Sequence, residues 1–166
     1  MHSRIFQFSD KEIKKEDYIK EHDICVDDHI WAAFSAKYCG DYVTEQNEED
    51  RLEDIKWLSE SLGKLDISLV ENDRFLLGEN FKEKINGFWY GRIHKAFNEL
   101  DKDKMDYYSP RYNLKYACMD PLCMGFGFLF YSEDTFLSQS DEFFEWLLDK
   151  NPGDLVYIGA TLDYHC

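Results

Sequence analysis

Residues Leu155 to Leu162 read LVYIGATL, eight positions without a formal charge, set between Asn151-Pro152-Gly153-Asp154 and Asp163. A strand with one wet face alternates apolar and polar side chains, so a run that does not alternate predicts a strand covered on both faces. That strand belongs inside a sheet. Its neighbours and two covering layers must come from the rest of the chain.

Ser3 to Phe8 alternates Ile5 and Gln7 with Phe6 and Phe8 and predicts a short strand. Residues 10–23 are nearly all charged around Ile13, Tyr18 and Ile19, which predicts a surface loop. His29 to Tyr38 has helical spacing through Ile30, Ala33, Phe34 and Lys37, with Gly40 as a stop. Asn47 is placed to cap the next helix. Glu48, Glu49 and Asp50 fill its first turn, where the helix dipole favours negative charge, and Leu52, Ile55, Leu58 and Leu62 repeat along one face up to Gly63. Leu65 to Val70 and Phe75 to Leu77 predict strands flanking the turn Glu71-Asn72-Asp73.

The longest helix is expected from about Phe81 to Leu100, with Phe81, Ile85, Phe88, Trp89, Ile93, Phe97 and Leu100 as its apolar stripe. Gly87 and Gly91 weaken it by about 1 kcal/mol each relative to Ala. Their spacing of four suggests close packing against another element. Asp101 to Asp106 reads as a charged connection. Met124 to Tyr131 predicts a strand with Phe126, Phe128 and Phe130 on one face and Gly125 and Gly127 on the other. Ser138 or Ser140 then caps a helix through Lys150, with Phe143, Phe144, Leu147 and Leu148 inward. The strand–helix–strand run from Met124 to Leu162 fits a right-handed parallel crossover. Together these elements predict an α+β fold, a single domain over residues 1–166, with a mixed β-sheet packed with about four helices.

Charge limits the function. The chain holds 34 Asp and Glu against 19 Lys and Arg, a net charge of −15 on 166 residues. Such a surface repels nucleic acid and anionic membrane and attracts basic protein at fast, salt-sensitive rates. Hydrophobic residues at 44% and aromatics at 17% argue for a packed core rather than a solvated acidic tail. Residues 1–60 carry 16 acids and 8 bases, residues 61–110 carry 9 and 8, and residues 111–166 carry 9 and 3. The negative field therefore comes from the two ends of the chain. No run approaches the roughly 18 apolar residues of a membrane span. Met1-His2-Ser3-Arg4-Ile5-Phe6 lacks the pattern of a signal peptide, so the expected location is cytoplasmic. Lysine outnumbers arginine, 14 to 5, a usage that suits an AT-rich bacterial or phage genome.

The five cysteines are odd in number and irregularly spaced and read as free thiols. Cys118 and Cys123 stand at C-x4-C spacing, and the sequence ends His165-Cys166. These four could surround zinc if the last strand ran beside the Cys118–Cys123 turn, but the spacing departs from the usual knuckle and free thiols are the preferred reading. Asp163 and His165 would share a strand face and could do acid–base work, yet no nucleophile stands near them in the sequence. Met124-Gly-Phe-Gly-Phe lacks the third glycine and the helix start of a dinucleotide site. Neither a cofactor nor a metal is expected.

The acids remain. Glu45, Glu48, Glu49, Asp50, Glu53 and Asp54 crowd one helix start, and Glu133, Asp134, Asp141, Glu142 and Glu145 form a second group. Charge runs usually solvate a face. Carboxylates on rigid helices also resemble the charge array of a nucleic-acid backbone. The expected function is thus a non-enzymatic acidic inhibitor or immunity-type protein. Its partner would be a basic protein, such as a nuclease or toxin, with no direct binding of nucleic acid or membrane. The alternative is a small enzyme or ligand-binding domain with an aromatic pocket of Trp89, Tyr90, Tyr107, Tyr108, Tyr112 and Tyr116, using His94 or the Asp163/His165 pair.

Overall fold

The computed structural model describes residues 2–25, 42–100, 108–119, 122 and 128–165. Its axis is β7 (Leu155–His165), which lies inside the sheet as its uninterrupted apolar run predicts. One edge of β7 pairs antiparallel with β1 (His2–Ser9). The other edge is shared by β4 (Arg74–Leu77), opposite Leu155–Tyr157, and β2 (Tyr42–Glu45), opposite Leu162–His165. β3 (Ile67–Glu71) lies beyond β4, while β5 (Phe128–Ser132) and β6 (Phe136–Ser138) lie beyond β1. β1 and β5 run parallel and the other described pairs are antiparallel, so the sheet is mixed. The helices among the described residues are α1 (Glu21–Cys25), α2 (Glu48–Leu62), α3 (Phe81–Asn98), α4 (Tyr108–Met119) and α5 (Ser140–Leu148).

Strand alternation divides the core in two. Phe6, Phe8, Phe128, Phe130, Val156 and Ile158 bury one face under Ile55 and Leu58 of α2, Phe81 and Ile85 of α3, and Phe143, Phe144 and Leu147 of α5. Phe143 stacks on Phe130 with centroids 4.0 Å apart and meets the edge of Phe8 at 5.0 Å. Truncating such a ring to Ala costs about 3–5 kcal/mol, because the cavity cannot collapse onto flat neighbours. Ile5, Leu129, Leu137, Ala160 and Leu162 point to the other face, where Ile19 and Ile24 pack.

A β-bulge explains how one strand serves both faces. Phe6 pairs with Thr161 and Phe8 with Ile158, so Gln7 alone faces the two residues Gly159 and Ala160. The extra residue reverses the alternation of β7. Val156 and Ile158 lie in the first core and Ala160 and Leu162 in the second. The Gln7 side chain fills the bulge: its Oε1 accepts from the N–H of Ala160 at 3.0 Å and of Ile19 at 3.2 Å, and its Nε2 donates to the Asp17 carbonyl at 2.9 Å. Gly159 leaves room for this amide, since a Cβ would sit 2.5 Å from Gln7 Oε1 and force the side chain to shift. One buried amide thus holds residues 17–19 against the sheet.

Several local expectations change. β5 and β7 run in opposite directions with β1 between them, so no parallel crossover forms; β6 turns the chain back before α5. Ser138 lies in β6 and Ser140 is the first residue of α5, whose N-cap is Gln139 without a side-chain cap. Ser140 Oγ instead accepts from the Leu122 N–H at 3.0 Å. Gly87 and Gly91 are exposed, and a Cβ on either would meet nothing within 4 Å among the described residues, so no described element packs closely against them. The expected helix over His29–Tyr38, the connection Asp101–Asp106 and the strand start at 124–127 lie outside the described residues. No helix among the described residues is long and apolar enough to cross a membrane.

Candidate partner-binding surface

α2 begins where β2 ends, and its cap is local chemistry. Asn47 Oδ1 accepts from the N–H groups of Glu49 and Asp50 at 2.9 and 3.0 Å. Its Nδ2 donates to Asp50 Oδ2 at 2.6 Å. The cap satisfies two of the amides that a helix start leaves without partners. Glu45, Glu49, Asp50 and Glu53 are exposed around it. Glu48 is also exposed, but Arg51 Nη1 at 3.0 Å and Lys15 Nζ at 3.3 Å partly offset its charge.

Arg51 fixes this helix start to the sheet. Between the segments of β7 paired with β4 and β2, the Ile158 N–H donates to the Asp73 carbonyl at 2.8 Å and the Thr161 carbonyl accepts from the Gln46 N–H at 3.4 Å, which leaves the Ile158 and Gly159 carbonyls to a side-chain donor. Arg51 enters there, 3% exposed, and donates from Nε to the Gly159 carbonyl at 2.6 Å and from Nη2 to the Ile158 carbonyl at 2.9 Å. The same guanidinium reaches Asp73 at 3.3 Å and lies 5.1 Å from the Tyr18 ring centroid. Its planar fork can bond several acceptors at once, which an ammonium cannot do. The inward face of α2 is therefore Arg51, Asp54, Ile55, Leu58 and Leu62, rotated from the Leu52 stripe that the sequence suggested. Both charged members were missed. The usable signal was their 3–4 residue spacing with the buried Ile55 and Leu58.

Asp54 is a correction to the acidic group. It is 9% exposed, and its Oδ1 accepts from Arg4 Nε at 2.9 Å. Arg4 also pairs with Asp163. Asp54 Oδ2 is buried without a hydrogen-bond partner among the described residues. Burial raises the Asp54 pKa above its ordinary value of 3.8, against the pull of Arg4. A carboxylate in this position holds β1 to α2 and does not face a partner.

The second acidic group is spread over two places. Glu133 and Asp134 are exposed in the turn joining β5 to β6, Glu142 and Glu145 are exposed on α5, and Asp141 is half-buried. Burial pushes the Asp141 and Glu142 carboxyls up, and the Asp141 charge adds to the rise at Glu142. β2 and β6 are four strand steps apart, about 19 Å at 4.8 Å per step. The two groups are therefore separate patches.

Glu133 also lines a cleft of about 630 Å³ with Glu16, Asp17, Lys20, His22 and Asp23, floored by Gln7, Tyr18, Ile19 and Tyr131. Burial raises the pKa of both tyrosines, and at Tyr131 the charges of Asp23 and Glu133 raise it further. The phenols stay protonated beside four acids and two basic side chains. Such a cleft suits a cationic group and disfavours an anionic one.

The aromatic residues of the alternative reading do not line this cleft. Trp89 is half-buried, edge-on to Phe144 at 6.2 Å. Tyr90 is exposed and stacked on His94, whose Nδ1 lies 3.0 Å from Asn98 Nδ2. Tyr112 and Tyr116 lie side by side on α4, with ring centroids 4.2 Å apart. Tyr108 starts α4, and Tyr107 lies outside the described residues. Asp163 faces Arg4, and His165 is the last residue of β7. Cys118 is an exposed free thiol, and Cys123 and Cys166 lie outside the described residues. Among the described residues no three potential ligands come together as a metal site. No family model matches the chain, and neither a curated protein nor a solved structure matches it.

Proposed function

We propose that this protein is a non-enzymatic acidic binding protein whose partner is a basic protein surface, of the kind a nuclease or toxin presents to nucleic acid. The observation that carries the reading is the start of α2, where Glu49, Asp50 and Glu53 stand exposed on a helix anchored through Arg51, with Glu45 exposed beside them at the end of β2. Carboxylates one helical turn apart are about 5–6 Å from each other. A rigid anionic row can meet a basic groove without first being ordered, which lowers the cost of association. The cleft beside Glu133 offers a place for a lysine or arginine side chain of the same partner. A cytoplasmic location fits the lack of expected disulfides and is part of the proposal.

The test compares two baits in capture from a bacterial lysate, the natural chain and the triple variant Glu45→Lys, Glu49→Lys, Glu53→Lys. Asp54 is left intact because it is buried against Arg4. The natural chain should retain a strongly basic protein at low salt, and the variant should lose it. A retained partner that is acidic, or equally retained by both baits, contradicts the reading. Glu142→Lys, Glu145→Lys, Asp149→Lys, exposed on and just after α5 and not lining the cleft, is the matched control on the second patch.

A further inference from the structure

The cleft beside Glu133 has a floor whose chemistry differs from that of its rim. It holds about 630 Å³, within the about 300–1,000 Å³ of small-molecule sites. Gln7 and Tyr131, register partners on β1 and β5, lie side by side at the floor, on the face where Ile19 packs. The Gln7 amide, 8% exposed, accepts from Ile19 and Ala160 and donates once, to the Asp17 carbonyl. These bonds hold the floor and one wall in place before any ligand arrives. An amide nitrogen carries two hydrogens, and the second one on Gln7 Nε2 has no acceptor among the described residues. Buried donors in native proteins find an acceptor, so this one is open to an oxygen brought by a ligand. Beside it the Tyr18 and Tyr131 phenols, kept protonated by burial, can each donate or accept.

The rim is anionic. Glu16, Asp17 and Glu133 are exposed and make no ion pair among the described residues. Asp23 is already engaged, by the Lys20 N–H at 2.8 Å and by His22 at 3.2 Å. Lys20 and His22 are the basic side chains of the lining, so the acids outnumber them and the field favours a cation. Among the described residues no three potential metal ligands come together. The acids therefore stand apart around the cleft, an arrangement that suits ammonium groups spread over a frame better than one small ion.

We infer that the cleft binds an amino sugar, a compound whose ammonium groups stand on a hydroxylated ring frame. The ammonium groups meet Glu16, Asp17 and Glu133 at the rim, and a hydroxyl oxygen accepts from Gln7 at the floor. The C–H face of a sugar ring can lie on Tyr131, since the Tyr18 ring already carries the Arg51 guanidinium 5.1 Å from its centroid. A linear polyamine, or a lysine of a partner protein, satisfies the rim and leaves the Gln7 hydrogen without an acceptor. A neutral sugar satisfies the floor alone, and a phosphorylated one is repelled by the rim. The inference stands apart from the protein partner proposed above, because its ligand is a small molecule and none of Glu45, Glu49, Asp50 and Glu53 lines the cleft.

The test is titration of the full chain with kanamycin A at about 50 mM NaCl, followed by calorimetry and by the side-chain amide signals in nitrogen–proton NMR spectra, with spermidine alongside. Kanamycin A should bind with a Kd below about 1 mM and shift the Gln7 amide pair. Spermidine, a polycation without hydroxyls, should bind at least about fivefold more weakly, the worth of one further hydrogen bond, and leave that pair in place. Glu16→Gln combined with Glu133→Gln should weaken kanamycin A at least about fivefold. Both positions are exposed, so the urea midpoint should not move and lost binding cannot be attributed to lost folding. No binding of kanamycin A up to about 5 mM overturns the inference. So does binding that leaves the Gln7 pair unmoved, spermidine binding as tightly as kanamycin A, or an affinity indifferent to the double substitution.

Discussion

Replacing Arg51 with Ala should be among the most damaging single changes in α2, although the residue lies in an acidic helix start. Two carbonyls of β7, at Ile158 and Gly159, would lose donors at 2.9 and 2.6 Å. A buried acceptor left without a partner costs about 1–3 kcal/mol. Glu48 is 51% and Asp73 36% exposed, so water can take over part of their loss. The space vacated by the side chain adds a cavity cost. Together these place the loss at about 3–5 kcal/mol, within the range for breaking a buried hydrogen-bonded charge network. For a domain of this size that is a fall in Tm of roughly 10–15 °C. Arg51→Lys should recover only about half, because an ammonium lacks the planar fork that spans both carbonyls. Urea unfolding followed by circular dichroism measures the loss. An Arg51→Ala protein within about 1 kcal/mol of the natural chain would refute the anchoring role, since surface changes in general stay near 0.5 kcal/mol.

Glycine substitutions should have opposite signs in two places: Gly159→Ala should destabilise by about 1–3 kcal/mol through contact with Gln7, and Gly87→Ala should stabilise by about 0.5–1 kcal/mol, both read from urea midpoints. In hydrogen exchange, Gly159→Ala should also speed the Ile19 amide, which donates to the same Gln7 oxygen. Asp54 has a raised folded pKa, so its protonation favours the folded state; that contribution is complete below 3.8 and is lost as pH rises through the raised value. Unfolding free energies between pH 7 and 4 should therefore move in favour of the natural chain over Asp54→Asn as pH falls. Asp10, lowered chiefly by its 2.8 Å hydrogen bond from Lys150, should show the reverse. Its contribution stands above 3.8, disappears as pH falls through the lowered value, and is under about 1 kcal/mol because the pair is exposed; Asp10→Asn measured at pH 7 and pH 3 checks both.

The parts of the fold read most directly from sequence are those whose causes are local. The Asn47 cap, the stripe Phe81–Ile85 and the unalternating run of β7 each follow from residues within a few turns or one strand. The four-residue β2 and three-residue β6 are too short to show a period. α4 was legible in principle, because Tyr108, Tyr112 and Tyr116 recur every four residues, but Arg111, Asn113 and Lys115 between them make the segment look like a polar loop. The bulge left one mark, the glycine within LVYIGATL, and its partner Gln7 lies 153 residues away from Ala160. Arg51 and Asp54 read as surface charge because their partners are equally remote, 108 residues for Gly159 and 50 for Arg4. Helix position alone marks such residues as inward; the groups that make burial tolerable come from other elements. The acidic patch was the reverse case, since Glu45, Glu49, Asp50 and Glu53 are exposed where the sequence put them.

The central claim is that these exposed carboxylates bind a basic protein, and its most direct measurement is the salt dependence of that affinity. Calorimetric titration of the captured partner at about 50 and 200 mM NaCl, at either side of a Debye length near 10 Å, should show affinity falling at least about tenfold. The same titration with Glu45→Lys, Glu49→Lys, Glu53→Lys should show a binding constant already low and nearly flat with salt. An affinity that is flat with salt for the natural chain, or a slope that survives the triple substitution unchanged, would contradict the account and return the α2 acids to solvation of their helix.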